Sequence, residues 1–156
     1  MTLKSFKAYI EQGIVKRQDP NLSRATSLIT ESKSKKQYLE ITLQLIPKEQ
    51  LNANVIADQC YDILIELIRA KLQIDGYSTG QSHEAEVSYL GILGFPIHDI
   101  KMMDELRYYR NGTKYYGVKL EMIYAEQIIK FMKEMYSRLL KILEKWKQKS
   151  IQKQKN

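Results

Sequence analysis

The sequence is poor in the residues that bind metals, form disulfides or interrupt helices. It has one cysteine and two histidines among 156 residues, so it cannot form an internal disulfide. Cys60, His83 and His98 do not have the spacing of a zinc site, and we expect no metal and no cofactor. Cys60 shares a helical face with Ala57 and Leu64, which predicts a small, buried, apolar side chain.

Glycine and proline are also scarce, with seven and three residues, so the elements between them should be long. The apolar residues follow helical spacing, and no strand pattern of useful length is found. We therefore predict an all-α fold, an up-and-down helical bundle with a long C-terminal helix. Its length suits a single domain over residues 1–148, followed by a basic flexible tail at 149–156.

Long apolar runs are missing as well. No segment approaches the roughly 18 uncharged apolar residues that a membrane-spanning helix needs. The first residues also lack the apolar core and small residues of a signal peptide. We expect a cytoplasmic protein without a membrane partner.

Caps and apolar spacing place the first helices. The first is predicted from Leu3 to Gln12, and the pair Asp19-Pro20 marks the start of the second. The polar run at 31–36 either continues that helix along an exposed face or separates two helices.

The next helices include the one that we expect at the centre of the bundle. Asn52 or Asn54 caps a helix predicted at 55–74, which is apolar around much of its circumference and therefore belongs inside. Gly76 suits a left-handed C-cap, and Ser82 caps a shorter helix.

The C-terminal half is predicted to contain two further helices. One carries Arg107 and Arg110 near its end, where Asn111-Gly112 indicates a turn or a distortion and Gly117 another break. The last helix follows a regular apolar seam and should fray after Trp146. The members of the seam are Ala125, Ile128, Met132, Met135, Leu139, Ile142 and Trp146.

Positive charge is concentrated at the C-terminal end. The chain carries a formal net charge of +7, and residues 141–156 contain six lysines against one glutamate. Such a segment attracts phosphates without specificity. A solvated helix end, where lysines suit the negative end of the helix dipole, is the alternative.

The segment at 107–117 combines fixed positive charge with polar and aromatic side chains. Arg110 follows Met103 by seven residues and Leu106 by four, so it shares the face that the apolar residues bury. A guanidinium there must be paired, or must open onto a groove or a partner, because an unpaired buried charge is costly. The pairing alternative has three acidic candidates, Asp104, Glu105 and Asp62.

Three blocks of this sequence together resemble the HEPN family (higher eukaryotes and prokaryotes nucleotide-binding domain). The blocks are Tyr61-Asp62 leading to Gly76-Tyr77-Ser78, then Ser82-His83-Glu84-Ala85, then Leu106 to Asn111 with Tyr115-Tyr116-Gly117. They stand in the family's order and cover roughly residues 57–143. The N-terminal part is similar only as generic helices.

The resemblance implies a helical bundle that forms a homodimer, with the arginine motifs of both subunits facing a shared cleft. Many family members are metal-independent ribonucleases, often toxins, and others bind RNA or partner proteins without catalysis. Some are paired with a minimal nucleotidyltransferase that modifies a tyrosine near the motif. In this chain the candidates would be Tyr115 and Tyr116, although the family's modified tyrosine corresponds in position to Gly117.

The candidate site follows from the motif, with one departure from the family pattern. The catalytic candidates are Arg110, Asn111 and Tyr115, and the binding candidates are Arg107, Lys114, Tyr116, Tyr109 and His83. The family's active pattern has a histidine where this chain has Tyr115. Since the pKa of tyrosine is about 10 and that of histidine about 6.5, proton transfer near neutral pH is disfavoured here.

Three functions follow from these observations. We favour a non-catalytic module that binds a nucleotide, RNA or a partner such as a nucleotidyltransferase. The alternative is a metal-independent ribonuclease in which Arg110 stabilises charge on phosphate while Asn111 and Tyr115 or Tyr116 assist. A structural helical adaptor with an incidental basic tail is the third.

Overall fold

The chain folds as an all-α helical bundle, as predicted. The computed structural model describes residues 3–115, 117 and 119–155, with the backbone alone at 112–115, 150, 151 and 154. The helices are α1 (Phe6–Glu11), α2 (Leu22–Leu45), α3 (Ala53–Asp75), α4 (His83–Ile92), α5 (Ile97–Tyr115) and α6 (Met122–Lys155). A short 3₁₀ turn at Lys48–Gln50 joins α2 to α3. No helix of the described residues has the length and apolar character required to cross a membrane.

Helix α3 lies at the centre and contacts α2, α4, α5 and α6. Its apolar side chains occupy most of its circumference and are buried, which confirms the predicted position. Asn52 caps its N-terminus by accepting from the backbone N–H groups of Asn54 and Val55 at 3.0 and 3.1 Å. Gly76 ends it in the left-handed region with φ +77°, also as predicted.

Two short strands fasten the α1–α2 connection to the end of α3. Strands β1 (Lys16–Arg17) and β2 (Tyr77–Ser78) pair antiparallel, with Lys16 opposite Ser78. The ladder continues into a bond from the Gln18 N–H to the Gly76 carbonyl at 3.0 Å. Strands of two residues carry too little alternation to be predicted from sequence.

The polar run at 31–36 continues α2 without a break. Its partners lie on α3, which supplies polar groups at the matching positions. The hydroxyl of buried Ser32 donates to the Ile63 carbonyl at 2.6 Å, and Lys35 pairs with Glu66. The run is therefore a helix–helix contact as well as an exposed stretch.

Several predicted helix ends differ from those observed. Helix α2 is capped by Asn21, whose side chain accepts from the Arg24 N–H at 2.9 Å, and not by Asp19. Helix α1 begins at Phe6 because Ser5 caps it. Asn111-Gly112 forms no turn, since α5 continues to Tyr115, and α6 extends past Trp146 to Lys155. Gly117, where a break between helices was predicted, has a left-handed φ of +67°.

Replacing Gly76 by alanine should destabilise the fold more than the same change at Gly94. Both glycines have positive φ, which costs an L-residue about 1 kcal/mol or more. A Cβ at Gly76 would also lie 2.6 Å from the Gln18 carbonyl oxygen, whereas nothing lies within 4 Å at Gly94. We expect a loss of about 1 kcal/mol for Gly94→Ala and roughly 2–4 kcal/mol for Gly76→Ala in urea unfolding. Equal losses would contradict this account.

Candidate functional site

Tyr61 of α3 is the residue around which the candidate site is arranged. Its side chain is buried, and burial raises the pKa of its phenol, so the hydroxyl remains a neutral hydrogen-bonding group. The hydroxyl oxygen lies 3.3 Å from Nδ1 of His83, the first residue of α4. The Cζ atom of Arg110 on α5 lies 5.4 Å from the centroid of the same ring, within the range of a cation–π contact. Two residues that belong to separate sequence blocks are thus brought to one side chain.

Arg110 forms an ion pair with Asp62, one of the three partners that the sequence suggests. Its Nη2 lies 3.0 Å from Oδ1 of Asp62. Both side chains remain partly accessible, with 24% and 30% of their surface exposed. Met103 and Leu106 on the same helix are fully buried, so Arg110 lies where the apolar face of α5 reaches the surface. The guanidinium is paired with a carboxylate and is still accessible to a ligand.

Arg107 lies deeper than Arg110 and connects α5 with α4. Its Nε donates to Oδ1 of Asp104 at 2.7 Å, and its Nη1 lies 3.6 Å from Oε1 of Glu84. With most of its side chain covered, Arg107 holds the two helices in register. Its pairing with two carboxylates makes it a poorer ligand-binding group than Arg110.

His83 is held with a defined orientation. Its Nδ1 lies 3.3 Å from the Tyr61 hydroxyl, 3.4 Å from Nη2 of Arg69 and 3.5 Å from Oε2 of Glu86. Desolvation lowers the pKa of His83, Glu86 opposes this shift, and Arg69 and Arg110 add to it. The lowered pKa favours the neutral imidazole. Since 41% of the side chain is exposed, the ring can reach solvent or a ligand.

An ion pair between α3 and α4 supports this arrangement. Arg69 donates from Nε and Nη2 to the two carboxylate oxygens of Glu86 at 2.9 and 3.0 Å. Only 6% of the Glu86 side chain is exposed, and the Thr79 hydroxyl lies 3.4 Å from its Oε1. The fork geometry fixes the position of Arg69 and, through Nη2, that of His83.

Sequence reasoning did not select Tyr61 and Arg69 as site residues. Both lie on α3. Arg69 follows Asp62 and Glu66 at helical spacing, and a charge on a central helix needs a partner, which is a usable signal for Arg69. Tyr61 begins the first block of the family resemblance, but a tyrosine in an apolar stripe is also common in cores.

The tyrosines of the candidate segment have different surroundings. The Tyr109 ring packs edge-to-face on Tyr124 of α6, with centroids 5.5 Å apart, and the Tyr124 hydroxyl donates to Glu105. Tyr109 therefore contributes to helix packing. Tyr108 has 65% of its surface exposed, and Asn111 is exposed one turn further along α5.

Part of the predicted site cannot be placed. The side chains of Lys114 and Tyr115 and the whole of Tyr116 lie outside the described residues. Cys60 is buried, which confirms its predicted role, and burial raises the pKa of its thiol to about 12. It is therefore not a nucleophile. Within residues 3–115, 117 and 119–155, no group of three or more His, Cys, Asp or Glu side chains is arranged to hold a metal ion.

Comparison with known proteins finds no matching family model, no matching curated protein and no matching solved structure.

Replacing Arg69 by methionine should destabilise the bundle through its effect on Glu86. The change leaves a buried carboxylate without its bidentate partner, which costs about 3 kcal/mol of unfolding free energy. Adding Glu86→Gln should recover part of this loss, because a neutral amide is cheaper to bury. Urea denaturation measures both variants.

The control for this pair is Lys36→Met, which removes a cation from the more accessible pair with Glu40. We expect a loss below about 1 kcal/mol. A double variant that is no more stable than Arg69→Met alone would show that the unpaired carboxylate is not the cause.

Proposed function

We propose that this chain is a HEPN-like module that binds single-stranded RNA without cleaving it, through the surface around Arg110. The observation that carries the proposal is the position of the Arg110 guanidinium. It is partly exposed, adjacent to the exposed Asn111, and grouped with His83 on the Tyr61 ring. Guanidinium, amide and imidazole N–H groups are donors that suit phosphate oxygens and base edges.

Binding of a phosphate here requires an exchange of partners. Asp62 occupies one edge of the Arg110 guanidinium in the free chain, at a single 3.0 Å contact. A phosphate oxygen approaching Arg110 competes with that carboxylate. Since Asp62 is partly exposed, it can be rehydrated when the phosphate displaces it, which keeps the cost of the exchange modest.

Further surface features support a nucleic-acid ligand. The ring of Tyr108 is exposed on the same helix as Arg110 and offers a stacking face for an unpaired base. The lysines at the end of α6 are exposed and give the chain a region of concentrated positive charge, which attracts phosphates over a distance.

Catalysis is the second candidate function, and His83 favours it. The motif position that is histidine in active family members is Tyr115, whose phenol is a poor base near neutral pH. The lowered pKa of His83 favours the neutral imidazole, and its Nδ1 lies 3.3 Å from the hydroxyl of the tyrosine that Arg110 also contacts, which makes it a candidate for proton transfer. A metal-independent ribonuclease would combine it with Arg110 and Asn111.

A homodimer is part of the proposal. Helix α2 exposes Tyr38, Ile41 and Leu45 at helical spacing, and α3 exposes Val55. Tyr38 and Asp62 line one cavity of about 270 Å³, so one end of this apolar surface borders the carboxylate that pairs with Arg110. A second copy seated on it would bring two Arg110 side chains to a common cleft. A nucleotidyltransferase partner remains a prediction of the family resemblance.

Arg110→Gln and Asp62→Asn should change RNA affinity in opposite directions. Arg110→Gln removes a phosphate contact, so binding should weaken about tenfold and the slope of log affinity against log salt should fall by about one. Asp62→Asn removes the competing carboxylate, so binding should tighten. Fluorescence anisotropy with a labelled single-stranded RNA, in chelator and at several salt concentrations, measures both.

The matched control is Lys48→Gln, which removes one positive charge from an exposed ion pair with Glu126. It should leave affinity nearly unchanged. If both members of the Arg110–Asp62 pair weaken binding equally, the pair is structural and the proposal fails. The same samples run on a gel test the second candidate: cleavage by the wild type that is lost in both Arg110→Gln and His83→Gln would favour the ribonuclease.

Leu45→Glu should convert the dimer to a monomer. The leucine is 75% exposed in the single chain, and a carboxylate in its place would be desolvated by a second copy. Light scattering at micromolar concentration should give twice the 18.3 kDa chain mass for the wild type and one chain mass for the variant. Ile92→Glu changes an exposed isoleucine on α4 and should leave the dimer intact. A monomeric wild type would refute the assembly.

A further inference from the structure

We propose that a cavity between α2, α3 and the turn before α4 binds a small phosphomonoester, with the phosphate held between Arg24 and Arg69. This site is separate from the proposed RNA surface, since it uses neither Arg110 nor Asn111. The two share only His83, whose imidazole lies between them.

The cavity has the size and the lining of a small-molecule site. Its volume is about 600 Å³, within the range of ligand pockets. Arg24 of α2 and Arg69 of α3 line it together with Thr79, Gly80 and His83. Leu28 and Leu72 add apolar side chains to the lining. Cations and an apolar surface in one cavity suit a ligand with a charged group and an organic part.

The balance of charge in the cavity favours an anion. Among the described residues that line the cavity, one side chain is acidic. This is Glu86, which already accepts hydrogen bonds from Nε and Nη2 of Arg69. Among the described residues no ion pair involves Arg24, which is exposed near the start of α2. The cavity therefore keeps one uncompensated positive charge. Among the described residues, the hydrogen bonds of Arg69 use its Nε and Nη2, so its Nη1 is the group that we expect to donate to a phosphate oxygen.

The turn at the edge of the cavity is held in a conformation that its sequence does not favour. Gly80 has φ +57° and Gln81 has φ +70°, and the Ser82 N–H closes the turn onto the Thr79 carbonyl at 3.0 Å. In the described part of the chain, Gln81 is the one residue other than glycine that has a positive φ. Backbone strain of this kind is concentrated at ligand-binding sites, where the surrounding structure maintains it. Ser78 and Thr79, which precede the turn, also line the cavity.

The test is a calorimetric titration of the full chain with four probes: AMP, ribose 5-phosphate, inorganic phosphate and adenosine. We expect the two phosphomonoesters to bind more tightly than inorganic phosphate, which lacks an organic part, and than adenosine, which lacks the charge. Arg24→Gln should weaken binding of the esters at least about tenfold, because it removes a charge-assisted hydrogen bond. Lys33→Gln, which removes one charge from the same helix outside the cavity, should have little effect.

The outcomes separate this proposal from the RNA surface. Arg110→Gln should leave ester binding unchanged, and Arg24→Gln should leave RNA affinity unchanged within about twofold. Absence of ester binding at millimolar concentration would overturn the proposal, as would equal binding by adenosine, equal binding by inorganic phosphate, or an Arg24→Gln variant that binds as well as the wild type. Arg24 lies on the helix surface, and thermal denaturation of the variant confirms that it is folded.

Discussion

Helix α3 is contacted by α2, α4, α5 and α6, and every buried polar group on it has to find a partner inside the bundle. Burying a charge or a hydrogen-bonding group without a partner would cost more than most single contacts contribute. The bidentate pair of Arg69 with Glu86 is the strongest response to this constraint, since it joins α3 to α4 with two charge-assisted bonds. The neighbouring α2 forms similar bonds to α3: the Ser32 hydroxyl donates to the Ile63 carbonyl, and Lys35 pairs with Glu66. The helices that pack against α3 therefore also supply the partners of its buried polar groups.

The candidate functional surface depends on the same constraint. Tyr61 is buried, yet its hydroxyl and its ring face are used by His83 and Arg110, so one α3 side chain fixes groups from α4 and α5. The carboxylate of Glu86 is nearly covered, whereas Arg110 and Asp62 are both partly exposed. An arginine whose carboxylate partner is accessible to water can exchange that partner for another anion more easily than one paired with a covered carboxylate.

The family resemblance and the geometry support the proposed function in different ways. The resemblance selects Arg110 and Asn111 from their motif. The geometry adds that Arg110 is partly exposed, that Asp62 competes for it, and that His83 shares its tyrosine. The absence of the motif histidine moves the expectation toward binding, while His83 gives catalysis an alternative base. In RNA binding His83 serves only as a hydrogen-bonding group, whereas in catalysis it must transfer a proton. The two functions can therefore be distinguished by experiment.

The sequence by itself determined the helical class, the central position of α3, its C-cap at Gly76, and the burial of Cys60, and it narrowed the N-cap of α3 to Asn52 or Asn54. These features depend on local propensity and on apolar periodicity, which are properties of neighbouring residues. It also suggested acidic partners for Arg110, with Asp62 among them. Only the tertiary structure decided that Asp62 is the partner, and that Tyr61 meets His83 across 22 positions of the chain. Contacts between helices depend on how the helices rotate and cross, and that is set by the packing of the whole core.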